Sequence, residues 1–151
     1  MIRSATQNDL KELIKLGQIL TEHEQNCDPY LKGKSKQDSL THYSKELNNS
    51  DAKFFVYESK NEIVGYIYGY IKKASDHIKI HENLGYLEAC VVKKEHRGKR
   101  ISSELTKALL EWFEGKNISL IELGVYADNE SVKVWEKLGF KPHHITMRTI
   151  L

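Results

Sequence analysis

Apolar residues recur along this chain with two different periods, and the changes of period mark its elements. After a short β-like opening, "MIRSA", the residues Leu10, Leu13, Ile14, Leu16 and Leu20 fall on a 3.6-residue period that predicts an amphipathic helix. Thr6 and, three residues on, Asp9 form a capping-box pattern ahead of it. Pro29 in "CDPY" ends it by biasing Asp28 away from helical dihedrals. A second, more polar helix is predicted from Ser35 to Leu47.

The pattern then turns β-like. "AKFFVYES", a break at "KN" and "EIVGYIYGYIKKA" read as a hairpin of β-branched and aromatic residues. Gly65 and Gly69 lie inside its second strand and mark a bulge, a close backbone approach, or room for a neighbouring helix. "SDHIKIHEN" is a polar loop, and "LGYLEACVV" is the next strand. From there Ile101, Leu105, Ala108, Leu109 and Trp112 share one face of a predicted helix, with Glu104, Lys107, Glu111 and Glu114 on the other and Gly115 at its end. "ISLIELGVYA" reads as a strand, "NESVKVWEKLG" as a short helix ended by Gly139, and "FKPHHITMRTIL" as a last strand. Meander strands followed by strand-helix-strand units predict an α+β sheet with some parallel pairing, in one domain spanning residues 1–151.

Composition narrows the classes. With 40% hydrophobic and 29% charged residues the chain reads as a globular protein, and a formal net charge of +2 is too small to predict general affinity for nucleic acid or membrane. Cys27 and Cys90 are too few and too far apart for a disulfide scaffold or a metal knuckle, which predicts free thiols in a reducing compartment. No segment approaches the roughly 18 consecutive apolar residues of a membrane span, and no leader is visible, so the expected location is the cytoplasm. His77 and His81 in "HIKIH" lie four apart without helical patterning or a third ligand, and no metal is expected. His143 and His144 adjoin each other in the predicted last strand and face opposite sides of it.

The chemistry concentrates in "VVKKEHRGKRIS". Five cationic side chains and one glycine stand between an apolar strand and a helix start. A strand-to-helix turn containing Gly98 points successive backbone N–H groups at one anion, and the helix N-terminus adds partial positive charge. Arg97, Lys99 and Arg100 supply further charge around a pyrophosphate or a 3'-phosphate, which suits a nucleotide-derived cofactor. The competing reading is a solvated charge run. Neither G-x-x-x-x-G-K-[ST] nor G-x-G-x-x-G is present.

"VVKKEHRGKRISSELTKALLEW" resembles the acyl-CoA signature of the GNAT superfamily of N-acyltransferases, Q/R-x-x-G-x-G/A between the central strand and its following helix. "DNESVKVWEKLGF" resembles the second signature, an Asn-initiated helix ending in a Lys-x-Gly-Phe-like element. Glu95 stands at the Q/R position, Arg100 at the final G/A position, and Trp135 where many members carry tyrosine.

The resemblance implies a central, mostly antiparallel twisted sheet of about six to seven strands with a parallel splayed pair, flanked by about four helices. It also implies acetyl-CoA as acyl donor and cosubstrate. Backbone groups around Cys90, Val91 and Val92 would pair with the pantetheine amides, and amides of Arg97, Gly98, Lys99, Arg100, Ile101 and Ser102 would hold the pyrophosphate. Asn129, or failing it Asp128, would bond the pantetheine arm. The acceptor site would be built from the first two helices and their connecting loop, where Glu22, Glu24 and Asp28 attract a cationic amine and Tyr30 packs against it. Other readings of these residues are an ordinary polar helix end.

Acyl transfer to an amine needs a base, because only the neutral amine is a nucleophile. Glu88 interrupts an apolar strand just before the implied acetyl site, where desolvation is expected to raise its pKa. A solvent-facing or ion-paired Glu88 is the alternative. With Trp135 unable to act as an acid, either Tyr126 or a water is the proton donor to the leaving thiolate, or the thiolate leaves without an acid. Cys90 lacks an evident base partner and is not expected to be acylated.

The leading expectation is an acetyl-CoA-dependent N-acetyltransferase acting on a small-molecule, peptide or protein amine by direct transfer in a ternary complex. The alternatives are a non-catalytic acyl-CoA-binding regulatory module and a nucleic-acid-binding protein using residues 93 to 100. A homodimer paired through the last strand is also open.

Overall fold

The computed structural model describes residues 1–74 and 80–151. Its elements run β1 (Ile2–Ser4), α1 (Leu10–Cys27), α2 (Lys36–Glu46), β2 (Ala52–Ser59), β3 (Glu62–Lys73), β4 (Asn83–Val92), α3 (Ile101–Gly115), β5 (Ile121–Leu123) and α4 (Val132–Lys137). The strands form one sheet in the order β1-β2-β3-β4-β5, antiparallel except for the parallel β4–β5 pair. Helix ends follow the local chemistry. Asp9 accepts from the Thr6 N–H and hydroxyl and from both Arg3 terminal nitrogens, closing a 3-10 turn ahead of α1. Ser35 and Asp38 cap α2 reciprocally. The β2–β3 hairpin turns through Lys60 and Asn61, both at positive φ, as a two-residue turn of matching twist requires.

Two hydrophobic layers cover the sheet. On one face α1 and α2 bury Leu13, Leu16 and Tyr43 against Phe54, Val56, Tyr66, Tyr68, Ala89 and Val91. Phe54 and Tyr68 stack with ring centroids 4.1 Å apart, and the buried hydroxyls of Tyr43 and Tyr66 satisfy each other at 2.8 Å. On the other face α3 packs Ile101, Leu105, Leu109 and Phe113 against Val64, Ile67, Leu87 and Val92. The fully buried aromatic of α3 is Phe113, with Trp112 partly exposed at the edge of the stripe.

Strict alternation would place i and i+2 on one face, and the sheet breaks that rule twice. Between β2 and β3 the register passes from Tyr57–Gly65 to Glu58–Ile63, leaving Val64 as an extra residue. Between β3 and β4 it passes from Tyr68–Ala89 to Gly69–Leu87, leaving Glu88 as the extra residue. Gly69 fits this crowded point: a Cβ there would sit 2.9 Å from both Leu109 Cδ2 and the Tyr86 carbonyl oxygen. Room for the neighbouring helix and a register shift therefore coincide at that position.

Five strands are present among the described residues, fewer than the six to seven expected. "FKPHHITMRTIL" is not a strand: residues 140–151 adopt no regular structure and join no sheet. The apolar residues Ile145, Met147, Ile150 and Leu151 are exposed there. The opposite-face argument for His143 and His144 lapses with the strand. "ISLIELGVYA" contributes only Ile121–Leu123, because pairing with β4 stops at Leu87–Leu123. No helix among the described residues is long and apolar enough to cross a membrane.

Candidate active site

β4 organises the site. It pairs with β5 only from Gly85 to Leu87, then runs on to Val92 with β3 as its one strand neighbour. The gap between β4 and the chain beyond β5 opens where the bulge falls. A bulge kinks its strand and re-aims the extra residue, and here it turns Glu88 out of the sheet while Leu87 and Ala89 stay buried on opposite faces. Ala89, Cys90, Val91 and Val92 then follow along the edge to the basic turn.

That turn is shaped by two left-handed residues. A 3-10 turn over Lys94–His96 is followed by Arg97, then Gly98 at φ 76, Lys99, and Arg100 at φ 62 immediately before the first turn of α3. Gly98 adopts this conformation without penalty, whereas Arg100 adopts it as an L-residue with a Cβ. The backbone shape that a small residue would favour before the helix is therefore kept although Arg100 stands there. The space beside Gly98 is open: an added Cβ would meet no atom within 4 Å. Arg97 Nε donates to the Val92 carbonyl at 3.1 Å and Lys99 Nζ to that of Glu95 at 3.2 Å, tying the cationic side chains to their own turn. Lys93 is paired with Glu62. The first amides of α3, the open side of Gly98 and the surrounding charge together suit a phosphorylated ligand.

On the face covered by α1 and α2, beside Glu88, lies a cavity of about 230 Å³ between α1, the α1–α2 loop, α2 and β4. Glu24, Lys34, His42, Tyr43, Glu88 and Ala89 contribute to its wall. Glu88 is not sunk among the apolar residues that flank it in sequence, because the bulge leaves its side chain 34% exposed and 3.9 Å from Lys34 Nζ. The desolvation expected at Glu88 falls instead on Glu24. Burial first, and then the nearby charge of Glu88, push the Glu24 carboxyl above its ordinary value, opposed by Lys34 and His23. Burial and the Lys34 charge together hold the His42 imidazole below its ordinary value. Lys34, His42 and Tyr43 carried no signal in the sequence that would have joined them to Glu88.

The other sequence candidates are distributed around this centre. Asp28 does not face the cavity with a free charge. Its side chain is 8% exposed, and both oxygens accept from Arg148, at 2.9 and 3.0 Å. The Tyr30 N–H also donates to Asp28, and the Tyr30 ring, largely exposed, lies 5.8 Å from the Arg148 guanidinium. Arg148 holds the Asp28 carboxyl below the usual range, while burial and the Asp28 charge push up the Tyr126 hydroxyl. Glu22 is exposed on α1. Asn129 Oδ1 accepts from the Ser131 N–H at 2.8 Å, shaping the turn into α4. Trp135 packs edge-on against Phe140, partly buried at the margin of the α3-side core. Burial pushes the Cys90 thiol up to about 12, the opposite of what a nucleophilic cysteine needs. His77 lies outside the described residues. Among the described residues no group of three or more His, Cys, Asp or Glu is placed to hold a metal ion.

Solved structures of other proteins share this fold. The BH1408 protein from Bacillus halodurans, as its tetramutant, superposes with a TM-score of 0.88 at 19% identity, covering 100% of this chain and 99% of that one. The aminoglycoside antibiotic 6'-N-acetyltransferase AAC(6')-IG from Acinetobacter haemolyticus gives 0.80 at 17% identity, covering 100% and 97%. A predicted acetyltransferase from Clostridium acetobutylicum, solved with acetyl-CoA, gives 0.80 at 16% identity, covering 99% and 95%. At such identities the likeness speaks for the fold. Among curated protein sequences, none matches. The sequence model of the Acetyltransferase (GNAT) family matches residues 18–140, which takes in α2, the whole of β2 to α4 and most of α1, and the chain belongs to that family.

Proposed function

We propose that the protein is an N-acetyltransferase that moves the acetyl group of acetyl-CoA to a primary amine by direct attack in a ternary complex. The observation that carries this reading is the placement of Glu88. It is the one extra residue of the β4 bulge, and it opens onto a cavity shared with Glu24 while the next four residues lead to the Gly98 turn.

When bound, acetyl-CoA supplies a thioester carbonyl activated toward nucleophiles. The chain's own residues divide the remaining work. Amides from Arg97 to Ser102 hold the pyrophosphate, and the edge backbone of Cys90, Val91 and Val92 aligns the pantetheine arm as an added strand would be aligned. Asn129 supports that arm from the turn before α4. Glu24 and Glu88 attract the acceptor's ammonium, and Glu88 takes its proton directly or through one water, which leaves the neutral nucleophile. A strand N–H beside the carbonyl stabilises the developing oxyanion. Tyr126, raised by burial and by the Asp28 charge, stays protonated and is the side chain nearest in kind to a general acid. A thiol of ordinary acidity also leaves readily as its anion near neutral pH. Asp28 and Tyr30 act by fixing residue 148 and the loop that borders the acceptor cavity. The raised Cys90 thiol supports direct transfer over an acyl-enzyme.

The acceptor class best matched to two carboxylates in a small cavity is a cationic amine. Residues 141–151, with Ile145, Met147 and Ile150 exposed and outside the sheet, support a homodimer in which this segment pairs with a second copy. Sedimentation velocity of the full chain and of a chain ending at residue 140 tests that part. The activity itself is tested with wild type and Glu88→Gln against a panel of primary amines. Acetylation by the wild type, lost in the variant with acetyl-CoA affinity retained, is expected. Acetyl-CoA binding without transfer to any amine would favour the non-catalytic acyl-CoA module for which the changes at Arg100 and Trp135 leave room.

A further inference from the structure

An amine of the protein itself already stands at the proposed base. Lys34 Nζ lies 3.9 Å from Glu88 Oε1, and among the described residues Lys34 is the cation that forms an ion pair with Glu88. The loop that carries it is held on both sides. Upstream, Gln25 Nε2 on α1 donates to the carbonyls of Leu31 and Lys32, at 3.3 and 3.0 Å. Gly33 turns at φ 79 so closely over α1 that a Cβ there would lie 2.8 Å from Gln25 Nε2 and 2.9 Å from Thr21 Cγ2. Downstream, the Asp38 N–H donates to Ser35 Oγ, and Ser35 Oγ donates to the Asp38 carboxylate, fixing the start of α2. The backbone on either side of Lys34 is thereby set, and its flexible side chain reaches into the wall of the cavity that holds Glu24 and Glu88. The side chain remains 57% exposed, so it is neither locked in the core nor excluded from solvent.

From this geometry we infer that Lys34 is an internal acetyl acceptor: given acetyl-CoA, the protein acetylates its own Lys34 at the active site. The inference rests on the proposed N-acetyltransferase reading. Lys34 as an ammonium gives a proton to Glu88, directly or across a bridging water, and Glu88 later returns it to solvent. The freed Nζ lone pair attacks the acetyl carbonyl. A C–N bond forms, the thioester C–S bond breaks, its electron pair leaves on the CoA sulfur, and the second Nζ proton passes to that sulfur. The products are Nζ-acetyl-Lys34 and free CoA. Tethering makes the step intramolecular and favours it over attack on lysines elsewhere on the surface. The amide product carries no charge, so Glu24 and Glu88 lose their resident counter-ion and face an incoming cationic amine unopposed.

The test needs no acceptor to be known. The full-length protein is incubated with acetyl-CoA, and acetylation of each lysine is followed by peptide mass spectrometry. Lys34 is expected to react at least about tenfold faster than Lys107, whose side chain is 79% exposed. Its rate is expected to be independent of protein concentration and to fall at least about tenfold in Glu88→Gln. A readout without acetyl-CoA accompanies this: in protein reductively methylated with carbon-13, the Lys34 methyl resonance shifts on Glu88→Gln if the pair exists in solution. Modification of Lys34 no faster than Lys107, a rate that rises with protein concentration, or an unmoved resonance overturns the inference. Added primary amines in the same solution separate the two claims. An acetylated amine beside unmodified Lys34 overturns the internal acceptor alone, whereas absence of acetyl-CoA binding and of all transfer overturns both.

Discussion

The two functional regions on either side of Glu88 are built on different principles. The turn from Lys93 to Ser102 is contiguous in sequence, and the anion site proposed there is built from backbone: two left-handed residues, an open side at Gly98 and the first amides of α3. The cavity holding Glu24, Lys34, His42 and Glu88 is assembled from α1, a loop, α2 and a strand bulge, and its capacity resides in side chains. Arg100 keeps φ 62 before α3 although a residue without a Cβ would adopt it at less cost. A side-chain site changes its specificity with each substitution.

This contrast is broken most sharply at Glu88. Glu88→Gln should lower the transfer rate by about 10²- to 10⁴-fold, the usual worth of a general base, with acetyl-CoA affinity unchanged in calorimetry. A parallel loss of affinity would mean that the two regions are not separable. Next in size is Gly98→Val, which places a β-branched residue at φ 76 and costs about 1–3 kcal/mol if the turn keeps its shape. Acetyl-CoA binding should weaken about tenfold or more, with the amine Michaelis constant little changed.

Glu24→Gln should act on the acceptor side alone, raising the Michaelis constant for a cationic amine about tenfold. It also has a pH signature. Because burial raises the Glu24 carboxyl, the wild type keeps that proton to a higher pH than an ordinary glutamate and holds one charge fewer below it. Amine affinity should therefore improve as pH rises through this elevated value, and Glu24→Gln should flatten that part of the profile. The smallest effect is expected at Arg148→Ala, a change in stability. Arg148 lowers the Asp28 carboxyl, so its contribution is present above the ordinary carboxylate pKa of about 4 and is lost as pH falls through the depressed value. Thermal melts should show the variant below wild type at neutral pH, with the gap closing in acid.

The same division explains how much was legible in the sequence. Gly98 amid its cations, between an apolar strand and the Ile101 helix stripe, is a local pattern, and the structure places the turn where that pattern puts it. The hairpin at Lys60 and Asn61 and the cap at Thr6 are equally local, whereas the reciprocal cap of Ser35 and Asp38 emerges only in the structure. Long-range placement was not. "LGYLEACVV" reads as an unbroken strand, and only pairing with Tyr68 and Gly69 makes Glu88 the extra residue and turns it toward Lys34 and the cavity. Asp28 looked available to a substrate because nothing nearby announces Arg148, its partner 120 residues away. "FKPHHITMRTIL" carries strand-like residues, but within one chain it joins no sheet, and β propensity without a partner does not make a strand.

The function proposed for this protein requires that the Gly98 turn bind acetyl-CoA through its backbone. Calorimetric titration of wild type and Gly98→Val with acetyl-CoA, with CoA and adenosine 3',5'-bisphosphate as controls, tests it most directly. Saturable binding near one equivalent is expected in the wild type, shared by both controls through their common phosphates and weakened about tenfold or more in the variant. Equal binding by the two proteins, or none in the wild type at millimolar acetyl-CoA, would contradict it.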